Sequence, residues 1–234
     1  MNVPAAPAAQ PETPRPKRVL TEVLLVFLAA TLVIAALYRV SAPLIHDNLS
    51  VLAAAVFLYL PAGLLWRRDE ELADYGLRAQ PLRRGLVAFA VAAALIVPLF
   101  SLGYALFVRR VCGHLPPWLV LCMPAVPALR LPPQPLTLAL SQLLVVALPE
   151  EFFFRGYLQG RLAAILRPTV YLPLQAALFA LGHLLVIGEP GTLAVFFPGL
   201  LFGYLRLRTG TVLAGTLLHA LCNLLIDVLH RSLG

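Results

Sequence analysis

Glu150, Glu151 and Arg155 stand together in the run LPEEFFFRGYLQ, which follows a mostly apolar stretch beginning at Leu136. Glu151 and Arg155 are four apart and share a helix face, so they can form an ion pair. Glu150 lies about 100° around the same helix, still within reach of the same space. Further along, Phe179 and His183 are four apart, and so are His219 and Asn223. Hydrolysis of an amide needs an activated water, an oxyanion stabiliser and a group to protonate the leaving amine. A carboxylate, two imidazoles and a carboxamide are the side chains for those tasks.

The elements that would carry these residues are set by composition. Apolar residues make up 60% of the 234 positions and charged residues only 12%, against roughly a quarter charged in a soluble domain. Lipid is therefore the expected solvent. A bilayer core of about 30 Å needs roughly 20 helical residues, and seven stretches qualify: 19–40, 49–66, 85–108, 136–165, 169–187, 192–205 and 211–229. The sixth is short, and 115–129 is apolar but carries four prolines, as an interfacial or re-entrant piece would. The expected fold is an all-α polytopic transmembrane bundle of about seven spans, within a range of six to eight. Residues 1–18 read as a disordered cytoplasmic tail and 19–234 as one multispan membrane domain, with a motif-bearing core at about 136–229.

Each carboxylate or arginine at membrane depth costs about 2.5 to 3.5 kcal/mol on insertion scales. Such groups on separate helices are expected to converge, since one facing lipid alone stays unsatisfied. Of the remaining polar residues in the spans, Gln142 and Gln175 read as interhelical glue, Glu22 as snorkelling to the surface and Asp227 as interfacial. Gly199 and Gly203 share a face and fit either a packing seam or tolerated glycines. Thirteen of the eighteen Lys and Arg fall on the side of the N-terminal tail, which predicts a cytoplasmic N-terminus and an external C-terminus. The formal charge of +7 is thus assigned to anchoring and not to nucleic acid, since no basic patch interleaves with stacking aromatics. Cys112, Cys122 and Cys222 show no metal spacing; the first two share a loop and could pair in an oxidising compartment.

The pattern EExxxRG at 150–156, FxxxH at 179–183 and HxxxN at 219–223 resembles the three motifs of the CPBP family. That family takes in type II CAAX prenyl endopeptidases, bacteriocin-processing and immunity proteins, and myxosortases. The resemblance covers roughly 136–229, with the motifs in the family's order. It implies a glutamic-type intramembrane endopeptidase that needs no cofactor. In that reading Glu150 is the general base, His183 holds the water, and His219 and Asn223 donate to the oxyanion. Glu151 and Arg155 are the supporting pair, and Phe179 packs around His183. The implied partners are a membrane-associated protein or peptide substrate and the bilayer, and the implied location is the bacterial inner membrane. The expected reaction is C-terminal processing of a lipidated or membrane-anchored protein, with the sorting-signal kind preferred to the prenyl-protein kind. A non-catalytic scaffold or immunity protein is the alternative, and a zinc-dependent protease a lesser one, since no HExxH is present and the histidines lie on separate spans.

Overall fold

The computed structural model describes residues 15–78, 81–111 and 130–233. The expectations for the tail up to residue 14, for the proline-interrupted segment 115–129 and for Cys112 and Cys122 lie outside these residues. Among the described residues there is no strand, and seven helices are long and apolar enough to span a bilayer. They are α1 (Pro16–Arg39), α2 (Leu49–Trp66), α3 (Leu82–Leu106, continuing to Val111), α4 (Pro135–Ala163), α5 (Pro168–Ile187), α6 (Pro190–Thr209) and α7 (Leu213–Ser232). A short helix, Pro43–Asp47, joins α1 to α2.

Local sequence sets these limits. Proline occupies the first turn of α1, α4, α5 and α6, where its fixed φ suits a helix and its missing N–H is not needed. That is why α1 begins at Pro16, three residues before the apolar stretch itself. Gly188 and Gly210 end α5 and α6 with φ of 86° and 78°, the left-handed cap glycine favours. The sixth span reads short because its last turn, up to Thr209, carries Arg206 and Arg208 and so falls outside the apolar stretch; it opens with a 3₁₀ turn, Pro190–Val195, which at about 2.0 Å per residue covers more depth than α-helix.

The most irregular element is α4. It alternates α-helix with two π-helical segments, Gln142–Ala147 and Phe152–Leu158, which flank the short α turn Leu148–Glu151. In the first, the Leu148 N–H donates to the Leu143 carbonyl five residues back. Pro149, next in the chain, brings no N–H to close an α turn, and its ring crowds the carbonyl four residues back, so a widened turn at this point follows from the sequence although Leu148 itself keeps α geometry. In the second, the Gln159 N–H reaches the Phe154 carbonyl. Wide turns of this kind inside α-helices are frequent at functional sites.

Helix α4 is the hub of the bundle. Phe152, Phe153, Phe154, Tyr157, Leu158 and Leu162 are all buried. Helices α1 and α2 pack together on one side of it, α5 and α6 on another, and α7 lies against its first half as well as against α3 and α6. On α1, Val19, Val23, Phe27, Ala30 and Ile34 form the inward stripe, while Leu24, Leu25, Leu28 and Leu32 face outward. Leucine on an outward face is what lipid, and not water, selects.

The two ends of the bundle are held differently. At the α1 N-terminal end, the Glu22 carboxylate accepts from Arg68 at 2.8 Å, from the Tyr157 hydroxyl at 2.7 Å and from Arg161 at 3.1 Å. Glu22 is therefore locked into an interhelical network and does not reach for the surface. Arg161 also reaches Glu70 and Tyr75. Burial, with a hydrogen bond given to Glu70, holds the Tyr75 phenol above its ordinary pKa, so it stays a donor. The Val212 N–H donates to the Gly76 carbonyl, fastening the α6–α7 turn to the α2–α3 connection. At the opposite end, the Arg130 N–H donates to the Ser232 hydroxyl, and Asp227 pairs with Arg231 on the exposed last turns of α7.

Candidate active site

The π turns decide where the motif residues point. Glu151 and Arg155 are fully buried, with Arg155 Nη1 donating to Glu151 Oε1 at 2.8 Å. Three phenylalanines surround the guanidinium: its carbon lies 4.0 Å from the Phe179 ring centroid, 5.2 Å from Phe202 and 5.8 Å from Phe154. A desolvated cation over aromatic faces gains about 2 kcal/mol or more per contact. The rings thus take up what a single carboxylate leaves unsatisfied around a fully buried guanidinium.

Glu151 has a second partner. The same Oε1 lies 3.0 Å from Nδ1 of His219, so one oxygen holds Arg155 of its own helix and joins α4 to α7 through His219. With Nδ1–H donating to that carboxylate, the other ring nitrogen is fixed in direction. That nitrogen, Nε2, faces Glu150 Oε2 at 3.8 Å, and the Glu150 side chain keeps some exposure while Glu151 keeps none. The ring itself is sandwiched, stacked on Phe202 at 5.2 Å and met edge-on by Phe179 at 6.0 Å. Sequence gave Glu151 no task beyond pairing with Arg155; its contact with His219 crosses 68 residues and is invisible to spacing.

Two cavities meet at Glu150. The larger, about 360 Å³, lies between α2 and α7 over the first half of α4, and its lining includes Tyr38, Ser50, Gln142, Glu150, Asn223 and Ile226. The smaller, about 90 Å³, lies towards α5 and includes Phe57, Glu150, Phe154 and His183. Tyr38, Ala53 and Phe57 border both, so the pair reads as one forked hollow with Glu150 at the fork. His183 is brought to this hollow but not onto His219. Its Nδ1 is 3.0 Å from the Phe179 carbonyl, and the Phe179 ring stands between the two imidazoles, 4.5 Å from His183. Asn223 Nδ2 donates to Gln142 Oε1 at 2.8 Å. Gln142, read from sequence as interhelical glue, therefore also aims the Asn223 carboxamide within the hollow.

Close backbone approach makes this possible. Gln175 Nε2 donates to the Gly199 carbonyl at 2.9 Å, and Gln159 Nε2 to the Gly203 carbonyl at 3.1 Å. A Cβ on Gly203 would sit 2.3 Å from Gln175 Nε2 and 3.0 Å from Gln159 Oε1; on Gly215 it would sit 2.8 Å from Glu151 Oε2. The glycine pair on α6 is thus a packing seam. Among the described residues no three of His, Cys, Asp and Glu are grouped so as to hold a metal ion.

Comparison with known proteins matches residues 132–225 to the family described as type II CAAX prenyl endopeptidase Rce1-like. That interval runs from the approach to α4 to just past Asn223. Neither the curated proteins nor the solved structures give a significant match.

Proposed function

With residues 132–225 carrying a domain of the Rce1-like type II CAAX prenyl endopeptidase family, we propose that this chain is an intramembrane endopeptidase in which Glu150 activates the attacking water. The observation that supports it most is the contrast between adjacent carboxylates. Glu151 is sealed and spent on Arg155 and His219, whereas Glu150 opens into the hollow.

In this reading a water in the fork gives its proton to Glu150 as it attacks the scissile carbonyl. His183, on the other wall, orients that water. Asn223, its Nδ2 steadied by Gln142, offers its second N–H to the tetrahedral oxyanion, a contact worth about 2.7 to 4 kcal/mol in comparable sites. His219 carries a proton on Nδ1 towards Glu151. When its ring is doubly protonated, Nε2 is a donor beside Glu150 and can stabilise the oxyanion or pass a proton to the departing amine. Arg155 touches none of the reacting atoms and acts by holding Glu151. The substrate is a protein or peptide segment held in the membrane, and C-terminal processing is the favoured role.

The direct test is mass spectrometry of membrane-protein C-termini in cells carrying the wild-type chain or Glu150→Gln. Termini present with the former and missing with the latter are expected, at equal levels of inserted protein. Identical termini in both would remove catalysis from the account and leave a scaffold or immunity role on the same fold.

A further inference from the structure

The forked hollow and the positive charge of this chain lie at opposite ends of the bundle. Arg155 is buried away from both surfaces, which leaves twelve Lys and Arg at the α1 N-terminal end and five at the other. The twelve lie before and in the first turn of α1, along the α2–α3 connection, around the α4–α5 turn and at the end of α6. Contacts confirm that these positions form one end: Glu22 with Arg68 and Arg161, Arg206 with the Asp74 carbonyl, and Val212 with Gly76. An excess of Lys and Arg in short loops marks the cytoplasmic side.

The mouth of the hollow belongs to the other end. Tyr38 is in the last turn of α1, Leu49 and Ser50 are in the first turn of α2, and Ser50 is exposed. From that rim the lining leads to the hydrogen-bonded Gln142 and Asn223 and on to Glu150. Helices α2 and α7 both pack on this part of α4 but scarcely on each other, so the cleft also opens sideways. Its walls mix amide and hydroxyl groups (Ser50, Gln142, Asn223) with branched aliphatic ones (Val145, Val146, Ile226). Such a lining suits an extended peptide, whose backbone needs polar partners in lipid while its side chains stay apolar.

Resting on the endopeptidase reading, we infer that the hollow is entered from the extracytoplasmic side. The substrate is then a membrane-held segment of an exported protein, cut within the bilayer. A lipid-modified protein tail displayed in the cytoplasm would meet the arginine-rich end, whose two clefts, at Arg68 and at Arg78, do not reach Glu150.

Side can be measured without activity. In the full chain with Cys112, Cys122 and Cys222 replaced by serine, single cysteines are introduced as Ser50→Cys at the rim and Arg167→Cys at the other end. Cells are treated with a membrane-impermeant maleimide before and after permeabilisation. Ser50→Cys should be modified equally in intact and permeabilised cells, and Arg167→Cys only after permeabilisation. The reverse pattern overturns the inference and points to cytoplasmic substrates. Modification of Ser50→Cys only after detergent denaturation overturns it as well, because the rim would then be shut. Either result leaves the Glu150→Gln comparison intact, and a failure of that comparison leaves the labelling result intact.

Discussion

Adjacent glutamates with opposite fates are the central chemical fact of this chain. Glu151 gives up solvent entirely, and only a buried cation and an imidazole make that tolerable. Removing one partner of a buried ion pair costs about 3 to 5 kcal/mol, whereas removing both is often close to neutral. Arg155→Met alone should therefore lower the melting midpoint in detergent sharply, and Arg155→Met with Glu151→Gln should recover much of it. Peptidase activity should recover in neither, because the single variant leaves the Glu151 carboxylate beneath His219 unheld and the double variant replaces that carboxylate. If the double variant melts no higher than the single, the pair is not the stabilising unit described. Gln142 makes a finer point. Gln142→Leu deletes one hydrogen bond that aims Asn223, a loss of about 1 kcal/mol, and should reduce kcat several-fold with little change in KM. An unchanged kcat would detach Asn223 from the oxyanion.

Helix by helix, the sequence yields the seven spans to within a few residues because lipid enforces a single rule of length and apolarity. It yields less about depth. A straight ruler at about 1.5 Å per residue sets Glu150 and His183 at different levels, yet both line the small cavity. The π segments on either side of Glu150 fit more residues into each turn, so α4 advances less than its residue count implies. Pro149 was the available signal for the first of them; nothing in FFFRGYL marks the second. The glycine seam is equally a matter of context, since Gly199 and Gly203 fit a seam or a tolerance until Gln175 and Gln159 are seen reaching across. Gly203→Ala tests it. A methyl group 2.3 Å from Gln175 Nε2 must either turn that buried amide away from the Gly199 carbonyl or push α6 off α4 and α5, at about 1 to 3 kcal/mol for an overpacked site. A depressed unfolding midpoint in detergent is the expected reading; an unchanged one would show that the seam is loose.

Across the molecule, the six motif residues lie within 150–223, but the hollow they share does not. Tyr38, Ala53 and Phe57 from α1 and α2 wall it, and Glu22 binds α1 to α4 from the far end. The first two helices have no motif of their own, which is why sequence assigned them nothing beyond membrane anchoring. A fragment comprising 130–234 should therefore be inactive although it holds every candidate catalytic residue. Supplying 1–111 as a separate polypeptide should restore activity if the wall is what was missing. Activity in the fragment alone would make α1 and α2 dispensable.

The caged guanidinium of Arg155 also bears on how the chain is made. When α4 leaves the ribosome its acids and its arginine have only Phe154 of the later cage beside them, for Phe179, Phe202 and His219 are still to be synthesised. Alone, that segment is poorly suited to partition into lipid, and it gains its partners only once three more helices have followed. Biogenesis thus has a built-in checkpoint: a polypeptide cut short before α7 strands its own charges and presents quality-control proteases with an obvious target.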